Sequence, residues 1–152
     1  MAVNERTMKA TPDAVWDILA DGWLYPLWVV GASRMREVDD HWPQVGARLH
    51  HSVGTWPLLV DDYTEVVDVT PGALLTLRAK ARPTGTAAVA IRLEPTGADT
   101  RVVMEEDVVA GPAALLPKLL RDVPLTWRNV ESLRRLAYVA ERRAAPAAER
   151  RD

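Results

Sequence analysis

Two side chains in this sequence are candidates to move a proton, and strand parity picks out both. In residues 100–107, Arg101, Glu105 and Asp107 share one parity, and Val102, Met104 and Glu106 share the other. Alternate residues of a strand face opposite sides. The charged set belongs in water, which carries Glu106 inward beside Met104. A carboxyl in an apolar pocket has its pKa raised and becomes a candidate general acid or base. The same residue has other placements open to it: the rim of the sheet, an ion pair with an arginine of the C-terminal helix, or an outward turn at a bulge. His50 and His51 are adjacent, so in a strand they point apart and cannot chelate one metal side by side. Leu49, His51 and Val53 have the apolar parity. That makes His51 either a pocket group able to exchange a proton near neutral pH or a hydrogen-bonded core histidine. His41 falls in a loop beside Trp42.

Other chemistries lack their residues. Asp61, Asp62, Tyr63 and Thr64 put polar groups on both faces of one strand, whose inward face the pattern leaves unassigned; some of them are placed to meet His51 across a hairpin through Gly54–Pro57. Two acids and a histidine are a weak metal set, and no metal-ligand spacing accompanies them. The chain carries neither a nucleotide-binding glycine motif nor a Gly-x-Ser-x-Gly elbow. No metal or cofactor is therefore expected. Cysteine is absent, which rules out disulfides and cysteine zinc sites. A net charge of −2 gives no global reason to expect nucleic acid. Arg134-Arg135 and Arg142-Arg143 alternate with acids and read as a solvated helix face. No apolar run approaches the ~18 residues of a membrane span, and the N-terminus has no apolar signal core. The expected compartment is the cytoplasm, and the chain is expected to be a monomer or homodimer.

These side chains need a scaffold, and the periodicity supplies one. Residues 124–143 predict a long helix. Pro124 suits its first turn, and Trp127, Val130, Leu133, Ala137 and Ala140 form an apolar stripe at 3.6-residue spacing, with Arg128, Glu131, Arg135 and Arg142 opposite. At 1.5 Å per residue that helix spans roughly 30 Å, the length of a strand of about nine or ten residues. Before it, turn signals at Gly54–Pro57, Thr70-Pro71-Gly72, Pro83-Thr84-Gly85 and Pro95-Thr96-Gly97 mark a run of antiparallel hairpins. Leu75, Leu77, Ala79 and Ala81 form a dry face against Thr76, Arg78, Lys80 and Arg82, and Val89, Ile91 and Leu93 repeat the pattern. Residues 33–38 predict a further strand. Near the N-terminus an edge strand over residues 2–10 leads into Thr11-Pro12-Asp13, a helix cap and first turn, with Gly22 as a stop. Residues 23–30, broken by Pro26, predict a short bulky plug. A further short helix over residues 113–120 is interrupted at Pro117. Leu75, Leu77, Val89, Ile91, Met104, Trp127, Val130 and Leu133 should be buried between sheet and helix. Residues 1–143 form one domain, and residues 144–152, without an apolar face, read as a disordered tail.

The order of strand, two short helices, six strands and a long C-terminal helix resembles the START-like superfamily with the helix-grip fold, also known from the Bet v 1 allergens. It is most similar to the bacterial polyketide cyclase/dehydrase and lipid-transport branch. The residues that carry the resemblance are Ala10-Thr11-Pro12-Asp13-Ala14-Val15-Trp16, then Thr70-Pro71-Gly72 with Leu74-Leu75, then Leu93-Glu94-Pro95-Thr96-Gly97 leading to Thr100-Arg101-Val102. It spans roughly residues 2–142. The resemblance implies an α+β fold: a curved antiparallel sheet of about seven strands wrapped around the helix, with a cavity between them. It implies no catalytic residue set, since the superfamily does not share one. Trp28, Met35, His51, Met104, Glu106 and Trp127 are the expected lining, and Trp23 and Trp56 join Trp28 and Trp127 as the aromatic set expected at the mouth and walls. Three functions fit: binding of a small hydrophobic ligand (lipid, polyketide or aromatic metabolite), a cyclase or dehydratase using His51 and Glu106 for proton transfer, and a protein-interaction module using the same groove.

Overall fold

The computed structural model describes residues 1–54 and 56–145. Among these the strands are β1 (Ala2–Met8), β2 (Ala32–Val38), β3 (Arg48–Val53), β4 (Val60–Thr70), β5 (Leu74–Ala81), β6 (Gly85–Thr96) and β7 (Asp99–Ala110). They form one antiparallel sheet in the order β1-β7-β6-β5-β4-β3-β2. Between β1 and β2 lie α1 (Pro12–Leu19), a 3-10 turn (Gly22–Leu24) and α2 (Tyr25–Trp28). After β7 a second 3-10 turn (Pro112–Leu115) leads into α3 (Lys118–Ala144). This is the helix-grip architecture. The expected tail lies outside the described residues from residue 146 onward. No helix among the described residues is long and apolar enough to cross a membrane.

Local chemistry explains the first turn. Thr11 Oγ1 accepts from the Ala14 amide at 3.3 Å, and Pro12 occupies a position whose N–H would have no helical partner. Gly22 has a role the sequence did not reveal. Helix α1 has already ended at Leu19, and a Cβ on Gly22 would stand 2.5 Å from Leu49 Cδ2 and 2.8 Å from Val38 Cγ1. The residue is glycine because β2 and β3 pack against its backbone, rather than because it stops a helix.

Strand parity is obeyed on the concave face. Leu75, Leu77, Ile91, Val102 and Met104 are buried there, with Val89 half-buried. On β4 the inward set is Asp62, Thr64 and Val66, which assigns the face the sequence left open.

Two expectations for the long helix need correction. It begins at Lys118 after Pro117, so Pro124 lies inside it, and the Leu120 carbonyl lacks the amide that would close that turn. Its inward stripe is also rotated from the one expected. Asn129, Ser132, Leu133, Leu136, Ala137 and Ala140 are buried, whereas Trp127 is 68% exposed and Val130 50% exposed. Leu133, Ala137 and Ala140 were on the expected stripe; Trp127 and Val130 are not in the core. The C-terminal half of α3 packs on apolar side chains. The N-terminal half lies over a hollow with polar groups on its wall, so Arg128, Asn129 and Ser132 turn inward and the large apolar residues turn out.

This rotation has a thermodynamic signature. Leu136→Ala should cost about 2–5 kcal/mol by emptying a core position, while Trp127→Ala should change stability by less than about 0.5 kcal/mol. Urea unfolding of the two variants distinguishes this from the buried-tryptophan arrangement, in which Trp127→Ala would be the costly change. Gly22→Ala should cost about 1–3 kcal/mol by overpacking Leu49 and Val38, which the same titration reads.

Candidate functional site

Between α2, the concave face of the sheet and the inner face of α3 lies a hollow of about 640 Å³, counted out to its open mouth. Helix α2 presents Trp28, held edge-on to Tyr25 with ring centroids 5.4 Å apart. Strands β3 and β4 bring His51 and Thr64, and β7 brings Met104 and Glu106. Arg128, Asn129 and Ser132 come down from α3.

His51 is 3% exposed. Its Nε2 lies 2.9 Å from Thr64 Oγ1, which lies 3.3 Å from the Tyr25 hydroxyl. The Tyr25 and His51 rings stack at 5.6 Å. Burial pushes the imidazole pKa below its ordinary value; the Asp62 carboxylate opposes this, and Arg36 and His50 add to it. Burial likewise raises the Tyr25 phenol. Both groups are neutral near pH 7, and the proton order along the chain has two settings. Tyrosine can donate to threonine and threonine to Nε2, leaving the proton on Nδ1. Alternatively Nε2–H donates to threonine, and Nδ1 is a free base.

Glu106 is 1% exposed, as its parity predicted. Its Oε1 accepts from Arg128 Nη2. The isolated carboxyl of a general acid is therefore not what β7 presents. Of the placements open to Glu106, the ion pair with the C-terminal helix is the one found, and its partner is an arginine the helical pattern had placed on the outer side. Asp62, with its side chain fully buried, accepts from the Arg82 amide at 2.7 Å.

Of the six expected lining residues, Trp28, His51, Met104 and Glu106 stand on the wall. Two do not. Met35 lies opposite His51 in the β2–β3 register, but β2 lines the hollow through Ala32, and Met35 packs half-buried against the core. Trp127 points outward with its stripe. Trp23 is 58% exposed beside a separate shallow hollow near Asp39 and Trp42. Trp56 stands 85% exposed on the β3–β4 loop. Of the polar residues expected to meet His51 across the hairpin, Thr64 is the one bonded to its ring; the sequence reading missed Tyr25, Arg128, Asn129 and Ser132. The last three sit at helical spacing, but polar residues on a helix ordinarily signal a wet face.

A second, more open hollow, about 600 Å³ with the solvent at its mouth included, lies between the β5–β6 turn, the end of β7 and the first turns of α3, lined by Leu116, Leu120, Pro124 and Leu125 among others. Arg128 and Ala81 line both hollows. Arg128 thus separates them while it neutralises Glu106.

Because the folded-state pKa of His51 is depressed, the unfolded chain binds its proton more readily than the folded one. This contribution to stability is complete above the ordinary imidazole value of about 6.5 and declines as pH falls below it. Denaturant midpoints measured from neutral to mildly acidic pH should fall for the wild type and fall less for His51→Gln. Parallel curves would mean that His51 protonates freely in the fold.

The family model for polyketide cyclase / dehydrase and lipid transport matches residues 2–141. No match to the sequence was found among curated proteins. Among solved structures, the Zhui aromatase/cyclase of Streptomyces sp. R1128 superposes with a TM-score of 0.71 at 21% identity, covering 96% of each chain. A protein of Nitrosomonas europaea gives 0.70 at 19% identity over 93% of this chain and 94% of its own. The allergen Ara h 8.0201 gives 0.70 at 11% identity over 90% and 95%. At these identities the likeness is one of fold. The matched residues run from the first strand almost to the end of the long helix, and on that span the chain belongs to the polyketide cyclase/dehydrase and lipid transport family, within the START/Bet v 1-like superfamily.

Proposed function

We propose that this chain binds a small, mostly apolar molecule bearing oxygen acceptors in the hollow between sheet and α3. One observation carries the reading. Trp28 Nε1, His51 Nδ1 and Asn129 Nδ2 are buried on the wall of the same hollow and have no hydrogen-bond partner among the described residues. A buried polar group without a partner costs on the order of 1–3 kcal/mol, and a ligand oxygen placed among these atoms would recover it. The rest of the wall, with Leu77, Ile91 and Met104, suits an apolar body. Mostly apolar walls with a few placed polar groups are the usual composition of small-molecule sites. The family description, covering both polyketide chemistry and lipid transport, supports the same ligand class.

Calorimetric titration with a dihydroxyanthraquinone and with anthracene, its unsubstituted ring system, tests this. The hydroxylated compound should bind more tightly. Asn129→Leu and Trp28→Phe should each weaken it by about 1–3 kcal/mol and leave anthracene nearly unchanged. If neither compound binds the wild type, the reading fails.

A second reading, cyclase or dehydratase catalysis, is favoured by the free Nδ1 of His51 at the end of the Thr64–Tyr25 chain. In that reading His51 is the base, and the Glu106–Arg128 pair is an electrostatic wall rather than an acid. His51→Gln should then lower turnover of a poly-β-ketone substrate roughly 10²–10⁴-fold while leaving binding in place. Equal product formation by both proteins would remove His51 from the chemistry.

A further inference from the structure

In an antiparallel sheet every second connection falls at the same end. The β3–β4 loop, the β5–β6 turn and the segment from β7 into α3 share one end of this sheet. The hollow reaches that end at Val30, Gly31, Val53 and Ala81. Two of the three connections carry apolar runs in which every residue is exposed: Trp56-Pro57-Leu58-Leu59 and Leu115-Leu116-Pro117-Lys118-Leu119-Leu120. Trp56 is 85% exposed, Leu58 80% and Leu115 88%. Isolated surface leucines are ordinary, but clustered apolar tips on separate loops mark a surface that meets an apolar phase.

The connecting segments themselves carry cations only, although Arg82 Nε lies 3.4 Å from the buried Asp62 carboxylate while its side chain stays two-thirds exposed. Residues 54–59, 82–85 and 111–120 contain Arg82 and Lys118 and not a single carboxylate, in a chain with 21 acidic residues and a net charge of −2. Asp61, just beyond the first run, is held by Ser52 Oγ at 2.8 Å and Arg36 Nε at 3.5 Å. We infer that this end docks on a lipid surface bearing anionic phosphates. Trp56, Leu58 and Leu115 enter the headgroup–acyl boundary, and Arg82 and Lys118 meet the phosphates. A second copy placed about a two-fold axis at this end would bring Arg82 and Lys118 toward their own images, where like charges repel. A lipid surface takes both the apolar tips and the cations. It also lets an apolar molecule reach the mouth of the hollow without crossing bulk water.

Flotation of the full chain with vesicles of phosphatidylcholine, and of phosphatidylcholine mixed with phosphatidylglycerol, tests the inference. The chain should float with the mixed vesicles and less with phosphatidylcholine alone. Leu58→Asp and Leu115→Asp, both at exposed positions, should each lower partitioning roughly tenfold or more, as expected for removing one large apolar side chain from the membrane boundary. Their dihydroxyanthraquinone affinity should equal that of the wild type, which separates failure of docking from failure of the ligand reading. Absence of flotation, or variants that float as well as the wild type, would overturn it. A dimer in sedimentation velocity that either variant dissolves, with no flotation, would assign the same tips to a second copy instead.

Discussion

The carboxylate of Glu106 is buried in an apolar concavity, and much of the site follows from the cation that compensates it. An uncompensated charge in such a place costs several kcal/mol. The compensation comes from Arg128, which reaches down from α3 to β7. With Arg128 turned inward, the helix has one rotation available over its N-terminal half. Asn129 and Ser132 face the hollow, and Trp127 and Val130 face solvent. The C-terminal half accepts that rotation because Leu133, Leu136, Ala137 and Ala140 form a continuous apolar stripe in the same phase. One end of the helix is held by packing and the other by an ion pair, and the hollow lies under the second. Arg128 is a third exposed, so the pair is weaker than a fully buried one and stands as a wall between two hollows.

Much of the fold was legible in the sequence because it rests on local rules. The Thr11-Pro12 cap, the turn signals, and the alternation in β5, β6 and β7 each follow from a few adjacent residues, and each is found where those rules put it. Glu106 and His51 were legible as inward residues by the same parity. What failed depended on the partner across the cavity. The stripe through Trp127 and Val130 is the more apolar choice for an isolated helix. It loses because the facing wall holds a carboxylate, and no helical pattern reveals what the facing wall holds. The helix start was misread for a related reason. Pro117 and Pro124 both satisfy the first-turn rule, and only tertiary packing separates them. Met35 stands opposite His51, but its strand meets the hollow at Ala32 instead. Asn129 carried no signal at all, since a polar residue on a helix ordinarily faces water.

The chemistry of the hollow is that of neutral groups around one ion pair. His51, Thr64 and Tyr25 form a hydrogen-bonded chain without a net charge near neutral pH. The carboxylate that invited an acid–base role is committed to Arg128. That arrangement suits holding a polar edge of an apolar molecule, and it leaves proton transfer to a single imidazole. The neighbours in fold, at 11–21% identity, share the sheet and the helix with this chain. The polar inventory of the wall belongs to this sequence.

The most direct test of an oxygen-bearing ligand in this hollow is the set of tryptophan indole N–H resonances, followed by proton–nitrogen NMR as a dihydroxyanthraquinone is added. The sequence has six tryptophans, and Trp28→Phe assigns the signal that matters. The Trp28 indole should move strongly downfield as its proton gains an acceptor, while those of Trp23 and Trp127 stay in place. Shifts confined to the exposed indoles, with the Trp28 resonance unmoved at saturation, would contradict binding in the hollow.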